Sequence, residues 1–218
     1  MRRLKDTILL ILSGGLQFSP QYYPYDVIYK RAGGFSPSSI RVTLNRLVMD
    51  REVEKIEKNG IVHFRLASQM IKQLREDFFL DNTPLRWDKK WRVAIGGKRN
   101  KLKKLGFGML RRSIYVSPFK VKLGPSQLQF EVREMLPFSN RELARIAWKL
   151  DGVEIRYNKW IKKAANFDKK SGNIMTLIDE YRALVRDNPK LPIELMPITW
   201  PFDRVRKILI TLVHNNFP

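Results

Sequence analysis

The 218-residue sequence has no cysteine and only two histidines, His63 and His214. The missing cysteines exclude disulfides, thiolate zinc sites and cysteine nucleophiles, and two histidines leave little for a histidine metal site. The longest aliphatic run, residues 8–12, is far shorter than the roughly 20 residues that cross a bilayer. Because Asp6 interrupts the basic start, this run does not predict a signal peptide. We therefore expect a cytoplasmic protein with no membrane segment and no cofactor.

Positive charge is what the sequence has in excess, with 42 Lys and Arg against 21 Asp and Glu and a formal net charge of +21. The hydrophobic fraction of 44% is that of a folded protein. Residues 83–135 are the most basic segment, with 14 basic and three acidic side chains, whereas residues 1–82 carry 13 and nine. This balance indicates a polyanionic partner, and we expect double-stranded DNA.

The first 82 residues have the pattern of three helices followed by a β-hairpin. The first helix has an apolar face and ends at Gly14-Gly15, and a short second helix follows. A third helix is predicted over residues 37–49, where Ser36 is suited to cap the first turn. Asn59-Gly60 lies between two alternating runs, which predicts a tight hairpin. This order of elements is that of a winged helix-turn-helix.

The helix over residues 37–49 is the predicted recognition helix. If Ile40, Leu44 and Leu47 face inward, a small, polar and cationic face points outward. Such a face fits a major groove, where Arg reads guanine and Asn reads adenine, while hairpin cations would contact phosphate. The alternative is an ordinary solvated helix face. The predicted DNA-binding residues are Ser38, Ser39, Arg41, Val42, Asn45 and Arg46 on the helix, and Lys55, Lys58 and Arg65 on the hairpin.

The middle of the chain predicts a small α+β unit. Alternating apolar residues indicate one strand around Trp91, a second that ends at Pro118, and a third around Phe130. A short basic stretch and a turn separate the first two strands. This stretch is either a phosphate-binding surface or a solvated basic turn. The candidate non-specific phosphate contacts are Lys98, Arg99, Lys101, Lys103 and Lys104.

The last third of the chain is predicted to be helical. Ser139 and Glu142 form a capping box, Asp151-Gly152 is expected to separate two helices, and Ser171 is a candidate cap for a third. Residues 187–201, which are rich in proline, are expected to form an extended linker before a final helix. The expected domains are therefore residues 1–82, 83–137 and 138–218.

Residues with catalytic potential are scarce. No nucleophile–base pair stands out, the phosphate-loop patterns GxGxxG and GxxxxGK[ST] are absent, and the most basic segment has too few carboxylates for a metal-dependent nuclease. We therefore expect a binding protein and not an enzyme. Trp148, Tyr157 and Trp160 are candidates to line an effector pocket, although core packing is the favoured role for these residues and for the other tryptophans.

Four stretches resemble the PaaX family of bacterial transcriptional repressors. They occur in family order and cover most of the chain: SPSSIRVTLNRLVMDREVEKI, then WDKKWRVAI with LKKLGFGMLRRSIYVSP, then ELARIAWKLDGVEIRY, and finally VRDNPKLPIELMPITWPFDRVRKIL. The resemblance implies an α+β fold with a winged helix-turn-helix, a ferredoxin-like middle domain and a helical C-terminal domain. It also implies a homodimer that represses from inverted half-sites and is often released by an acyl-CoA type effector.

The sequence departs from the PaaX pattern in the middle domain. Family members usually continue the first middle strand into a segment such as FDIPE and then into an arginine-rich helix, whereas here Ile95 is followed by Gly96-Gly97-Lys98. The middle domain is therefore expected to be an abridged ferredoxin-like fold. Two alternatives to a regulator stay open. One is a nuclease-like or scaffolding protein of CRISPR-type DNA handling, and the other is a structural or RNA-binding protein.

Overall fold

The computed structural model describes residues 2–18, 21–78, 85–124, 127–168 and 173–217. The chain forms two compact units, each built from separate stretches of sequence. The first contains residues 1–81, 160–185 and 203–218, and the second contains residues 82–159 and 186–202. Helices and antiparallel sheets are both present, so the predicted α+β class is confirmed.

The first unit begins, in its described residues, with four helices and a three-stranded sheet. In chain order its elements are α1 (Arg2–Leu12), β1 (Tyr23–Pro24), α2 (Tyr25–Arg31), α3 (Pro37–Met49), β2 (Val53–Lys58), β3 (Ile61–Leu66) and α4 (Ser68–Asp77). The strands are antiparallel in the order β1-β3-β2. Asn59 and Gly60 both adopt positive φ between β2 and β3, as a two-residue hairpin turn requires. The predicted helices and hairpin of this region are therefore confirmed.

Two glycines end the first helix and leave room for the last helix to pack beside them. Gly14 and Gly15, which follow α1, both have positive φ. A Cβ at Gly15 would come within 2.5 Å of the His214 Cα, so the backbone of the last helix passes against this glycine. The Gln17 side chain also hydrogen-bonds the His214 ring at 3.0 Å. His214 therefore contacts the turn after α1 within the first unit.

The second unit is built on a four-stranded antiparallel sheet. Its elements are β4 (Trp91–Ile95), α5 (Arg99–Lys104), β5 (Gly108–Arg111), β6 (Ile114–Ser117), β7 (Leu128–Val132) and α6 (Asn140–Trp148), with a 3₁₀ turn at Ile193–Leu195. The strand order is β5-β6-β4-β7. Trp91, Val93 and Val116 pack with Leu143, Ala144 and Ala147 of α6, while Ala94, Phe107 and Tyr115 pack with Leu102 of α5. Each face of the sheet therefore has its own apolar cluster.

The basic stretch of the second unit forms a short helix and not a solvated turn, which was one of the two alternatives expected for it. α5 forms over Arg99–Lys104 because Leu102 is fully buried and holds one face of the stretch in the apolar cluster. The strand β5 was not predicted, since Gly108 and Met109 carry little β-strand signal. Its strand conformation comes from pairing with β6, in which Met109 lies opposite Tyr115.

The remaining helices are α7 (Leu150–Ala165), α8 (Ile174–Asp187) and α9 (Phe202–Asn216). The capping box of Ser139 and Glu142 at the start of α6 is confirmed. The expected break at Asp151-Gly152 is wrong, because the chain turns at Lys149, whose φ is 53°, and α7 runs through Gly152. Ser171 lies outside the described residues. No helix in the described part of the chain is long and apolar enough to cross a membrane.

The C-terminal helices are shared between the units, in contrast to the three consecutive domains expected from the sequence. In the first unit, the Trp160 indole donates to the Leu177 carbonyl at 3.0 Å, and the Tyr181 hydroxyl donates to the Phe78 carbonyl at 2.9 Å. Residues 186–202 belong instead to the second unit, where Leu195 and Met196 are buried in its core. The expected linker over residues 187–201 is therefore wrong, because Leu195 and Met196 are part of a core.

Candidate nucleic-acid interface

The helix α3 is fixed at its first turn and along one face. The Ser36 hydroxyl accepts a hydrogen bond from the Ser39 backbone N–H at 3.2 Å, and Pro37 occupies the first helical position. The Tyr25 hydroxyl donates to the Pro37 carbonyl at 2.9 Å. Three residues spaced along the helix are buried: Ile40, Leu44 and Leu47. The rotation of α3 about its axis is therefore set by packing.

The opposite face of α3 is open to solvent. All six of its predicted DNA-binding side chains are exposed: Ser38, Ser39, Arg41, Val42, Asn45 and Arg46. Val42 is the apolar member and is 63% exposed. A guanidinium, an amide and a small apolar group on one exposed face match guanine, adenine and the thymine methyl, respectively.

An aromatic side chain supports one of these cations. The Arg41 guanidinium lies 5.2 Å from the centroid of the Tyr25 ring, and that ring stacks on Tyr29 at 6.4 Å. A cation–π contact limits the rotamers of the arginine while leaving its N–H donors available. Tyr25 and Tyr29 were not among the predicted site residues. The run Tyr22-Tyr23-Pro24-Tyr25 was the available signal, but its placement beneath α3 depends on the tertiary fold.

The hairpin separates its three predicted cations. Residues opposite each other in the antiparallel pair share a face, so Lys58 and Arg65 lie on one face, with Ile61 and Glu54 as their respective partners. Lys55 pairs with buried Phe64 and lies on the other face. Lys55 and Lys58 are both exposed. Lys58 and Arg65 therefore share one face of the hairpin, and Lys55 lies on the other.

Arg65 has two contacts within the hairpin region. Its guanidinium contacts Glu54 Oε2 at 2.7 Å through Nε and at 2.6 Å through Nη2, and it lies 4.6 Å from the centroid of the Tyr22 ring. Arg65 is half-buried, unlike the other eight predicted residues. Its charge is therefore partly compensated by Glu54.

The five predicted cations of the middle segment are all exposed, but they do not form one group. Lys98 precedes α5, and the other four belong to it. Arg99, Lys103 and Lys104 line a cavity within the second unit, whereas Lys98 and Lys101 do not. These five residues belong to a different unit from the nine on α3 and the hairpin.

Arg92 binds two of the three carboxylates in the basic segment, residues 83–135. It is 2% exposed, and its Nη1 donates to Asp88 Oδ1 at 2.7 Å and to the Pro118 carbonyl at 3.2 Å, while its Nε donates to Glu131 Oε1 at 3.2 Å. The hydrogen bond from Arg92 lowers the pKa of Asp88. The hydrogen bond from Lys90, with the charge of Arg92, lowers the pKa of Glu131. Both carboxylates therefore stabilise a buried cation.

The tryptophans have mainly packing roles. Trp91 and Trp160 are buried, and Trp200 packs edge-on against buried Tyr157 at 5.7 Å. Of the three side chains considered for an effector pocket, Trp148 lines the cavity of the second unit, while Tyr157 and Trp160 do not. Within the described residues, no group of three or more His, Asp or Glu side chains is placed to hold a metal ion.

Comparison with known proteins defines the fold class and no family. No protein-family model matches the sequence, and no curated protein matches it. Among solved structures, the chain is similar to the uncharacterized protein Rv0674 from Mycobacterium tuberculosis, with a TM-score of 0.67 and 19% sequence identity. The match covers 99% of this chain and 96% of that one. At this identity, the similarity shows a shared α+β fold over nearly the whole length and nothing about function.

Proposed function

We propose that the protein is a sequence-specific, DNA-binding transcriptional regulator that acts by binding and not by catalysis. The observation that carries the proposal is α3, which is anchored on one face by Ile40, Leu44 and Leu47 and presents exposed polar and cationic side chains on the other. In this proposal α3 enters the major groove, and the β2–β3 hairpin contacts the neighbouring phosphates.

Two features of the fold support a PaaX-like architecture. Three helices followed by an antiparallel hairpin is the element order of a winged helix-turn-helix. In the second unit, β4, α5, β5, β6 and β7 follow one another with the sheet order β5-β6-β4-β7, which is that of a split β–α–β unit without a second helix before β7 within the described residues. This arrangement agrees with an abridged ferredoxin-like domain.

By resemblance to PaaX, the proposal extends to a cytoplasmic repressor that binds DNA as a homodimer and is released by an acyl-CoA type effector. A dimer with two copies of α3 requires two half-sites of inverted sequence. Their centres are about 34–36 Å apart, or a multiple of that distance, because both helices must face the same side of the duplex.

The decisive experiment is selection of genomic duplex fragments by the purified protein at about 0.15 M salt, where non-specific binding is weak. We expect recovery of an inverted repeat. A parallel arm with structured RNA tests the alternative of an RNA-binding protein. Recovery of no common sequence, with binding that collapses as salt rises, or much tighter binding to RNA, would contradict the proposal.

The recovered operator then tests the residues of α3. We expect Asn45→Ala and Arg46→Ala each to weaken operator binding by about 1–3 kcal/mol if the side chains contact bases in a bidentate manner. For a scrambled duplex, the affinities of these variants should differ much less from that of the wild type. Lys72→Ala, which removes one exposed charge from α4, is the control for a general electrostatic loss. If the variants lose the same affinity for the operator and for the scrambled duplex, these α3 side chains do not read bases.

A second candidate is a nuclease-like or scaffolding protein of CRISPR-type DNA handling, favoured by the strand order of the second unit. Its test is magnesium-dependent cleavage of duplex DNA, followed by substitution of the carboxylates in the basic segment. Asp88 and Glu131 are already bound to Arg92, so Glu134 is the first carboxylate to replace. Cleavage that is lost in Glu134→Gln would favour this candidate over the regulator.

A further inference from the structure

A cavity of about 750 Å³ lies within the second unit, lined by α5, the start of β5, the junction of α6 with α7, and residues 186–190. Seven of its twenty lining residues are Lys or Arg, compared with 42 of 218 in the whole chain. Asp187 is the one carboxylate among them. From this composition we infer that the cavity binds a small organic molecule carrying at least two phosphate groups.

The cations come from three separate parts of the unit. α5 contributes Arg99, Lys103 and Lys104, and further cations come from the α6–α7 junction and from residues 186–190. Arg156 forms an ion pair with Asp187, so the single carboxylate already compensates one cation of the wall. Arg99 and Lys103, at i and i+4 on α5, repel each other. Like charges around a concave surface focus a positive potential within it, and a multivalent anion would relieve their repulsion.

The rest of the lining is suited to an organic part of the ligand. Phe107 and Tyr115 are buried, and Met109 and Phe119 are half-buried. The Asn188 side chain also lines the cavity, and its oxygen Oδ1 is buried with no hydrogen-bond partner in the described part of the chain. A cationic wall with an apolar floor and a few polar groups is typical of a small-molecule site.

At this cavity, two glycines allow aromatic rings to pack directly against the backbone. A Cβ at Gly108 would come within 2.6 Å of the Trp148 indole, and one at Gly106 would come within 3.0 Å of the Phe119 ring. Gly106 also has a φ of 83°, which favours glycine. Both rings line the cavity. Its shape therefore depends on close contact between these rings and the backbone before β5 and at its start.

Phosphate groups reach such a wall either on a free small molecule or on a nucleic-acid backbone. A concave cavity favours the free molecule. Three cations of the α5 stretch line the cavity, while Lys98 and Lys101 of the same stretch do not. The volume lies within the range of about 300–1,000 Å³ that is usual for small-molecule pockets. The inference deepens the proposed function, because an acyl-CoA type effector carries phosphate groups of this kind and the inference gives it a site. It rests on that function only for the effector role, and its assay needs no operator, so either proposal can fail without the other.

The test uses the full-length protein with ADP as the probe in titration calorimetry, and inorganic tripolyphosphate as the competitor. We expect saturable binding of one ADP per chain and its displacement by tripolyphosphate. The double variant Lys103→Gln, Lys104→Gln should weaken ADP binding at least tenfold. The control Lys98→Gln, Lys101→Gln removes the same charge from the same stretch and should change it less than twofold. Circular dichroism of each variant checks that the unit stays folded.

Three results would overturn the inference. The first is the lack of saturable ADP binding. The second is an equal loss of affinity in both double variants, which would indicate general attraction to a basic protein. The third is displacement of ADP by a scrambled DNA duplex whose own binding is lost in the Lys103→Gln, Lys104→Gln variant but kept in the control. That result would assign the cavity wall to the nucleic-acid backbone.

Discussion

Lys58 and Arg65 share one face of the hairpin, yet we expect them to contribute differently to DNA binding because only Arg65 has a salt bridge in the described part of the chain. No ion pair holds Lys58 within the described residues, whereas Arg65 is bound to Glu54 at 2.6 Å. This salt bridge is about two-fifths exposed and contributes no more than about 1 kcal/mol. However, if a phosphate replaced Glu54 as the partner of Arg65, a carboxylate would remain beside the phosphate. We therefore expect a net phosphate contact from Lys58 and almost none from Arg65.

The size of the effect follows from counterion release. Each lost phosphate contact reduces the steepness of the plot of log affinity against log salt by about 0.9. A fourfold change in salt concentration therefore changes the ratio of the wild-type and variant affinities by about 3.5-fold. Lys58→Ala should lower the slope by about 0.9. Arg65→Ala should leave it nearly unchanged. Glu54→Gln should raise the slope by about 0.9, because it releases Arg65 to contact the backbone.

The assay is fluorescence anisotropy of a labelled scrambled duplex, at salt concentrations from about 0.05 to about 0.2 M. A scrambled sequence isolates the phosphate contribution from base contacts. Lys72→Ala on α4 reports the effect of losing one charge elsewhere in the first unit. The reasoning is refuted if Arg65→Ala lowers the slope as much as Lys58→Ala while Glu54→Gln leaves it unchanged.

Three further predictions concern the second unit. Arg92→Met should lower the free energy of unfolding by about 2–3 kcal/mol in urea titration, because the buried Pro118 carbonyl and two carboxylates lose their donor. A loss below about 0.5 kcal/mol would contradict a structural role for these hydrogen bonds. Since the pKa of Asp88 is lowered in the folded state, its contribution is present above its unfolded pKa of about 3.9 and is lost as pH falls through the folded value. The difference in stability between wild type and Asp88→Asn should therefore be constant above about pH 5 and shrink below about pH 4; an unchanged difference down to pH 2 would contradict this. Gly108→Ala should cost about 1–3 kcal/mol and alter near-ultraviolet circular dichroism, because the new Cβ meets the Trp148 ring; a spectrum and stability like the wild type's would show that the ring moves away freely.

Elements with local signals could be predicted to the residue. α3 begins at Pro37 and ends at Met49 as expected, since the Ser36 cap, the N-terminal proline and the apolar stripe all act within one helix. The hairpin was equally predictable, because Asn59 and Gly60 both tolerate the positive φ that its turn needs. Short-range interactions decide these features, and they are present in any window of the sequence that contains them.

Elements whose partners are distant in sequence were predicted less well. No helix was predicted for α5, since nothing near it in the sequence shows that Leu102 fits a buried cluster with Tyr115. β5 owes its conformation to pairing with β6. The expected linker contributes Leu195 to a core formed mainly by β4 and α6. In each case a non-local contact outweighs weak local propensity.

The sequence by itself determined the α+β class, the exposed cationic face of α3, the hairpin and the basic character of the middle segment. Local hydrogen bonding, helical and strand periodicity, and net charge are properties of neighbouring residues, so they need no fold to be seen. Only the tertiary structure decided that Arg65 is bound by Glu54, that Tyr25 supports Arg41, and that cations from residues 99 to 190 line one cavity. These arrangements depend on packing that joins distant parts of the chain.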